Sequence, residues 1–178
     1  IDNLNQALDG EAQIGIANAN LVYQAREGID SFEVRELPVG YVIYANNTGK
    51  VKYSEIKDIF NNPAFSFGNM CYHIKKDGGV YRADRLMFVI REPMLEISPL
   101  KGEHKKFAQF EGGKCLYTIK SFDEKQIDIE WDFLQIFEYA KVHGIKCSDE
   151  MYAFYIYSLM SGEEIKDYYE IYVPICGC

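Results

Sequence analysis

Little in this 178-residue sequence points outward to a membrane or to nucleic acid. No apolar run reaches the roughly 20 residues that a membrane-crossing helix needs, and no stretch has the pattern of a secretory leader. Basic residues are short: 19 Lys and Arg stand against 27 Asp and Glu, a formal net charge of −8. Phosphate recognition needs a basic patch, so this segment is not expected to bind nucleic acid itself. Lys75-Lys76 and Lys105-Lys106 read as solvated loop charges. The five cysteines include no Cys-x-x-Cys pair, and Cys176-Gly177-Cys178 is too closely spaced for an ordinary zinc site. His73, His104 and His143 are far apart and read as structural or exposed. No metal or cofactor is expected, no phosphate-cradling glycine loop is present, and a reducing, cytoplasmic setting fits best. The start at Ile1 reads as that of a fragment or processed chain.

Aromatic residues are abundant. Fourteen Tyr, eleven Phe and one Trp make 15% of a chain that is 48% hydrophobic, enough for one globular domain or two fused halves. Strand propensity accounts for part of that excess, and pocket walls use the same residues.

The second half repeats the plan of the first. Leu37-Pro38-Val39-Gly40-Tyr41-Val42-Ile43-Tyr44 and Phe110-Glu111-Gly112-Gly113-Lys114-Cys115-Leu116-Tyr117 share an apolar residue, a Gly three later and a Tyr four beyond. Each is followed by a helical pattern, Tyr53 to Phe60 and Ile127 to Val142, and then by two strand-like runs. In the first half these are Phe67 to Ile74 and Leu86 to Arg91, separated by a turn or short loop at Asp77-Gly78-Gly79. In the second they are Tyr152 to Leu159 and Tyr168 to Ile175. The expected fold is α+β: duplicated β-α-β-β units in a pseudo-twofold antiparallel sheet, helices on one face and a ligand groove on the other. Residues 1–28 are read as a helix tail and connector, and 29–178 as the ligand-binding domain.

Alternation in the last strand puts Glu170 and Tyr172 on one face and Tyr169, Ile171 and Val173 on the other. In its neighbour Tyr155 and Tyr157 alternate with Phe154 and Ile156. The Ile/Val/Phe sets are expected beneath the helices, and the Tyr-plus-Glu sets on the groove face.

From Phe32 to Ile175 the chain resembles the GyrI-like effector-binding domain, the ligand sensor behind the DNA-binding region of many MerR-type and some AraC-type transcription regulators. The resemblance rests on Val34-Arg35-Glu36-Leu37-Pro38, the paired Gly-to-Tyr strands and Tyr169-Glu170-Ile171-Tyr172-Val173-Pro174-Ile175. It implies a multidrug-type sensor that binds lipophilic, often cationic, molecules over its sheet. DNA would be reached only through a missing upstream domain, and the full-length protein would be a homodimer. Tyr53 and Phe67 fall where such sensors place pocket aromatics. One departure concerns the strand before last, where relatives carry a pocket glutamate. Here Tyr152, Ala153 or Tyr155 takes that position, so the countercharge to a bound cation would come from Glu170 or Glu150; otherwise the pocket would hold cations by ring quadrupoles alone or prefer neutral ligands.

The candidate ligand-binding set is therefore Tyr44, Tyr53, Phe67, Tyr117, Trp131, Tyr152, Tyr155, Glu170 and Tyr172. Each has a plainer reading. The tyrosines suit ordinary sheet packing, Trp131 sits on a helix's apolar stripe, and Glu170 could be a solvent-facing strand residue paired with a lysine. Two other functions compete with the sensor. A small-molecule hydrolase would use Glu170 with Tyr155 or Tyr117 as base and proton donor. A structural or inhibitory module would dock a protein through the tyrosine-rich face.

Overall fold

A computed structural model describes residues 31–49, 57, 66–123, 133–161 and 164–177. Its strands are β1 (Glu33–Leu37), β2 (Gly40–Asn46), β3 (Asn69–Asp77), β4 (Val80–Arg91), β5 (Ala108–Phe110), β6 (Gly113–Asp123), β7 (Glu150–Ser161) and β8 (Glu164–Pro174). The helical elements include α1 (Glu92–Leu95), α2 (Leu134–Val142) and a 3-10 turn at His104–Lys106. The eight strands form one sheet in the order β1-β6-β8-β7-β3-β4-β2-β5, and every paired neighbour is antiparallel. The architecture is α+β.

The two ends of that order belong to the same ribbon. β1 runs into β2 across Pro38-Val39, and β5 runs into β6 across Glu111-Gly112. Glu33 to Leu37 pair with Tyr117 to Gly113; beyond the break, Gly40 to Val42 pair with Phe110 to Ala108 in the same running register. The sheet therefore closes on itself, and one face becomes an interior. Contacts between strands that are not neighbours confirm the closure. Phe110 on β5 meets Tyr152 and Phe154 on β7, with ring centroids 4.9 and 5.8 Å apart. A closed sheet also leaves fewer unpaired edges.

Two apolar cores result. Inside lie Leu37, Cys71, Met87, Val89, Phe110, Cys115, Tyr117, Phe154 and Tyr172. Outside, beneath α2, lie Leu116, Phe122, Phe133, Ile136, Ala140, Tyr169, Ile171 and Val173 with their neighbours. The outward placement of Tyr169, Ile171 and Val173, with Glu170 and Tyr172 inward, follows the alternation read from the sequence. α1 covers Ile90 through Leu95 and carries Pro93 in its first turn, where a fixed φ and a missing N–H are tolerated.

Three local expectations change. β4 begins at Val80, not Leu86, because Gly78 and Gly79 adopt positive φ of 59° and 91° and make a tight hairpin with Asp77 opposite Val80. Lys75 and Lys76 consequently lie in strand β3 rather than a loop. The second repeat segment, read as one run from Phe110 to Tyr117, divides at Glu111-Gly112 between β5 and β6, where the two ribbon segments cross. A Cβ on Gly112 would fall 2.3 Å from the Leu37 carbonyl oxygen, so only glycine lets the backbones approach this closely.

Candidate functional site

Alternation along three strands brings one polar group into the apolar interior. On β8, Glu170 stands opposite Phe154 of β7 and Ile119 of β6, and Tyr172 stands opposite Tyr152 and Tyr117. On β4, Arg91 shares a face with Met87 and Val89 and lies across from Gly40. A Cβ at Gly40 would meet Val89 Cγ1 at 2.8 Å, so the strands pack closely beside Arg91.

The Glu170 carboxylate is 6% exposed. Its Oε1 accepts hydrogen bonds from the Tyr117 and Tyr172 hydroxyls at 3.2 and 3.3 Å. Its Oε2 accepts one from Arg91 Nη2 at 2.5 Å, which is also a salt bridge. That bridge spans the interior, since β3 and β7 separate β4 from β8 in the sheet order. The Arg91 guanidinium carbon lies 4.9 Å from the Phe154 ring centroid, within cation–π range. Tyr117 and Tyr172 meet edge to face at 5.0 Å, and the Arg35 guanidinium caps Tyr117 at 3.9 Å. The result is a carboxylate enclosed by two phenols, a phenyl ring and a guanidinium.

Burial explains the charge states. It pushes the Tyr117 phenol far above its ordinary pKa, and the Glu170 charge adds to this. The same two causes raise Tyr172, partly relieved by Arg91. Both phenols therefore remain donors. Burial alone would pull Arg91 down, but Glu170 beside it more than offsets that and leaves it raised.

Of the nine candidate residues, Tyr117, Tyr152, Glu170 and Tyr172 share this interior face. Tyr152 is at the rim, stacked on His73 at 5.0 Å. Tyr44 and Tyr155 lie on the outer face. Tyr44 is inward by simple counting from Gly40 and Val42, but a bulge at Ile43 pairs it with Phe88, on the same side as Leu86 and Ile90. Tyr155 pairs with outward-facing Tyr169 and packs on it at 5.7 Å, because Phe154 rather than a tyrosine is the partner of Glu170. The groove-face assignment of the Tyr155 set is thus inverted up to the bulge between Tyr155 and Tyr157. Past it Tyr157 pairs with Tyr168 and stacks on it at 4.7 Å. Phe67 is half-buried just before β3. Tyr53 and Trp131 lie outside the described residues.

Sequence reading missed Arg91, Phe154 and a rim cluster. Arg91 carried a signal, since it ends the run Leu86 to Arg91 in phase with Met87 and Val89. At the rim, buried His73 lies between two carboxylates. Its Nδ1 is 2.9 Å from Asp84 Oδ1 and its Nε2 3.2 Å from Glu150 Oε2, while Lys75 Nζ bridges the same two acids at 3.5 and 3.2 Å. Glu150 is thereby engaged by cations of the chain itself. Among the described residues no group of three or more His, Cys, Asp or Glu could hold a metal ion, and no helix is long and apolar enough to cross a membrane.

No protein-family model matches the chain, and no curated protein matches it either.

Proposed function

We propose that this chain is a GyrI-like effector-binding domain whose interior site takes lipophilic small molecules, with Glu170 as the polar anchor. The observation that carries this reading is the buried carboxylate amid Tyr117, Tyr172 and Phe154. Even paired with Arg91 and hydrogen-bonded by two phenols, a carboxylate inside an apolar core is uncommon, and such buried polar clusters concentrate at functional sites. Apolar area on the ligand would supply most of the affinity, at roughly 25 cal/mol per Å². The ring-lined wall, poor in directional hydrogen bonds, suits varied ligands.

Duplication belongs to the same proposal. Exchanging the first four strands for the last four turns the order β1-β6-β8-β7-β3-β4-β2-β5 into its own reverse, as a twofold through the β3·β7 pair would. Leu37 and Phe110, both interior, become equivalents, as do Gly40 and Gly113. In this reading a DNA-binding segment outside the sequence carries the response of a cytoplasmic, homodimeric transcription regulator. The ligand must favour one arrangement of that larger protein over another by a few kcal/mol.

A thermal-shift series tests the reading. Lipophilic cations such as tetraphenylphosphonium should raise the melting temperature, and Glu170→Gln should blunt the rise for cations more than for uncharged analogues of equal size. No shift with any of them would sink it.

The hydrolase reading draws on the 3.2 Å contact between Tyr117 and Glu170. It has less behind it, because a phenol raised so far holds its proton, and the second carboxylate oxygen is taken by Arg91. Ester turnover abolished by both Glu170→Gln and Tyr117→Phe would reinstate it.

A further inference from the structure

We propose that Arg91 is a built-in occupant of the Glu170 site, a tethered cation that incoming ligands displace, and that it biases the site towards flat guanidinium- or amidinium-type groups. This deepens the sensor reading and takes from it the premise that ligands enter the interior. The Arg91 guanidinium stands where a cationic group would bind. It comes from β4, reaches across the interior to β8, and meets both elements of a cation site: a carboxylate at 2.5 Å and the Phe154 ring at 4.9 Å. Tyr117 and Tyr172 turn their hydroxyls to the carboxylate oxygen that Arg91 leaves open. The chain thus supplies to itself what a flat cationic ligand would supply.

Two features make this occupant displaceable. A guanidinium has five N–H donors and can grip a carboxylate with two parallel bonds. Arg91 uses Nη2 alone on Glu170, and its buried Nε makes no hydrogen bond among the described residues. The grip is single. The Arg91 side chain is also 23% exposed, against 7% for Glu170, so it lies at the mouth of the site with the acid behind it.

A tether acts as a local concentration, on the order of millimolar or higher for a short link. A free cation must compete with that. Removing the tether should therefore tighten binding of small planar cations by roughly tenfold or more.

The test titrates methylguanidinium into wild type, Arg91→Ala and Arg91→Met by calorimetry and thermal shift, with sodium and urea as controls. Arg91→Met keeps an apolar stem against Phe154 should the alanine variant fold poorly. The expected result is saturable binding in the variants, at least tenfold tighter than in wild type. It should come with recovery of the melting temperature that the substitution removes, and both should vanish when Glu170→Gln is added. Equal binding in wild type and variants, or none in a folded variant, overturns the proposal. So does unfolding of both variants that methylguanidinium does not reverse, since Arg91 would then be purely structural. Failure of the sensor reading looks different: wild type ignores lipophilic cations while the Arg91 variants still bind methylguanidinium.

Discussion

Phe154 joins the two parts of the interior. It faces Glu170, lies under the Arg91 guanidinium and touches Phe110 and Tyr172. Phe154→Ala should cost about 3–5 kcal/mol in chemical denaturation, as expected when a fully buried ring is removed from a packed core. The cysteines separate by environment as well. Burial pushes the Cys71 thiol well above its ordinary range and Cys115 to about 11, the latter helped by Glu36. Cys147 is also raised by burial, whereas Cys176 is exposed. Differential alkylation near neutral pH should label Cys176 first and leave Cys71 and Cys115 unmodified until the protein unfolds, because the thiolate is the reacting form. Early labelling of Cys71 would contradict the closed interior. The residue-level legibility of the site was partial. Glu170 and Tyr172 could be placed by counting along a regular strand, but Tyr44 could not, because a bulge leaves no mark that a period-of-two rule reads.

Between strands, the ribbon made by β1–β2 and β5–β6 decides whether the sheet is open or closed. Its crossing depends on Gly112, whose added Cβ would press on the backbone of Leu37. Gly112→Ala should lower stability by about 1–3 kcal/mol, the usual range for overpacking, seen as a lower urea midpoint. Gly102, where nothing lies within 4 Å of a built Cβ, has positive φ and would report backbone strain alone. The strand pattern and the helix ending at Val142 were legible because their apolar periods are strong. The hairpin at Gly78-Gly79 was seen as a turn, yet the strand after it was started too late. Val80 to Arg85 is polar and half-exposed, so pairing across a tight turn holds it in the sheet, not an apolar run.

For the molecule as a whole, the rim cluster ties β3, β4 and β7 together and gives stability an acid limit. Burial nudges the Glu150 carboxyl upward, but the Lys75 hydrogen bond and the charge of His73 prevail, leaving it below the ordinary value of 4.5. A carboxyl whose folded pKa is lowered stabilises fully above its unfolded value, and that contribution fades as pH falls through the folded one. Melting temperature followed from about pH 6 to about pH 3 should therefore fall less steeply in Glu150→Gln than in wild type. The difference should be small and shrink with added salt, since the side chain is nearly half exposed. An unchanged slope would remove Glu150 from the acid limit.

Composition and alternation were enough to state an α+β chain with tyrosines and one glutamate gathered on a sheet face, because side-chain direction along a strand depends on neighbours one and two residues away. Closure of the sheet, the outward turn of Tyr44 and Tyr155, and the pairing of Glu170 with Arg91 came from elsewhere. Each depends on which strands meet after folding, and Arg91 and Glu170, 79 positions apart, become partners only across a closed interior. Local spacing carries no information about such a contact; the ring of strands does.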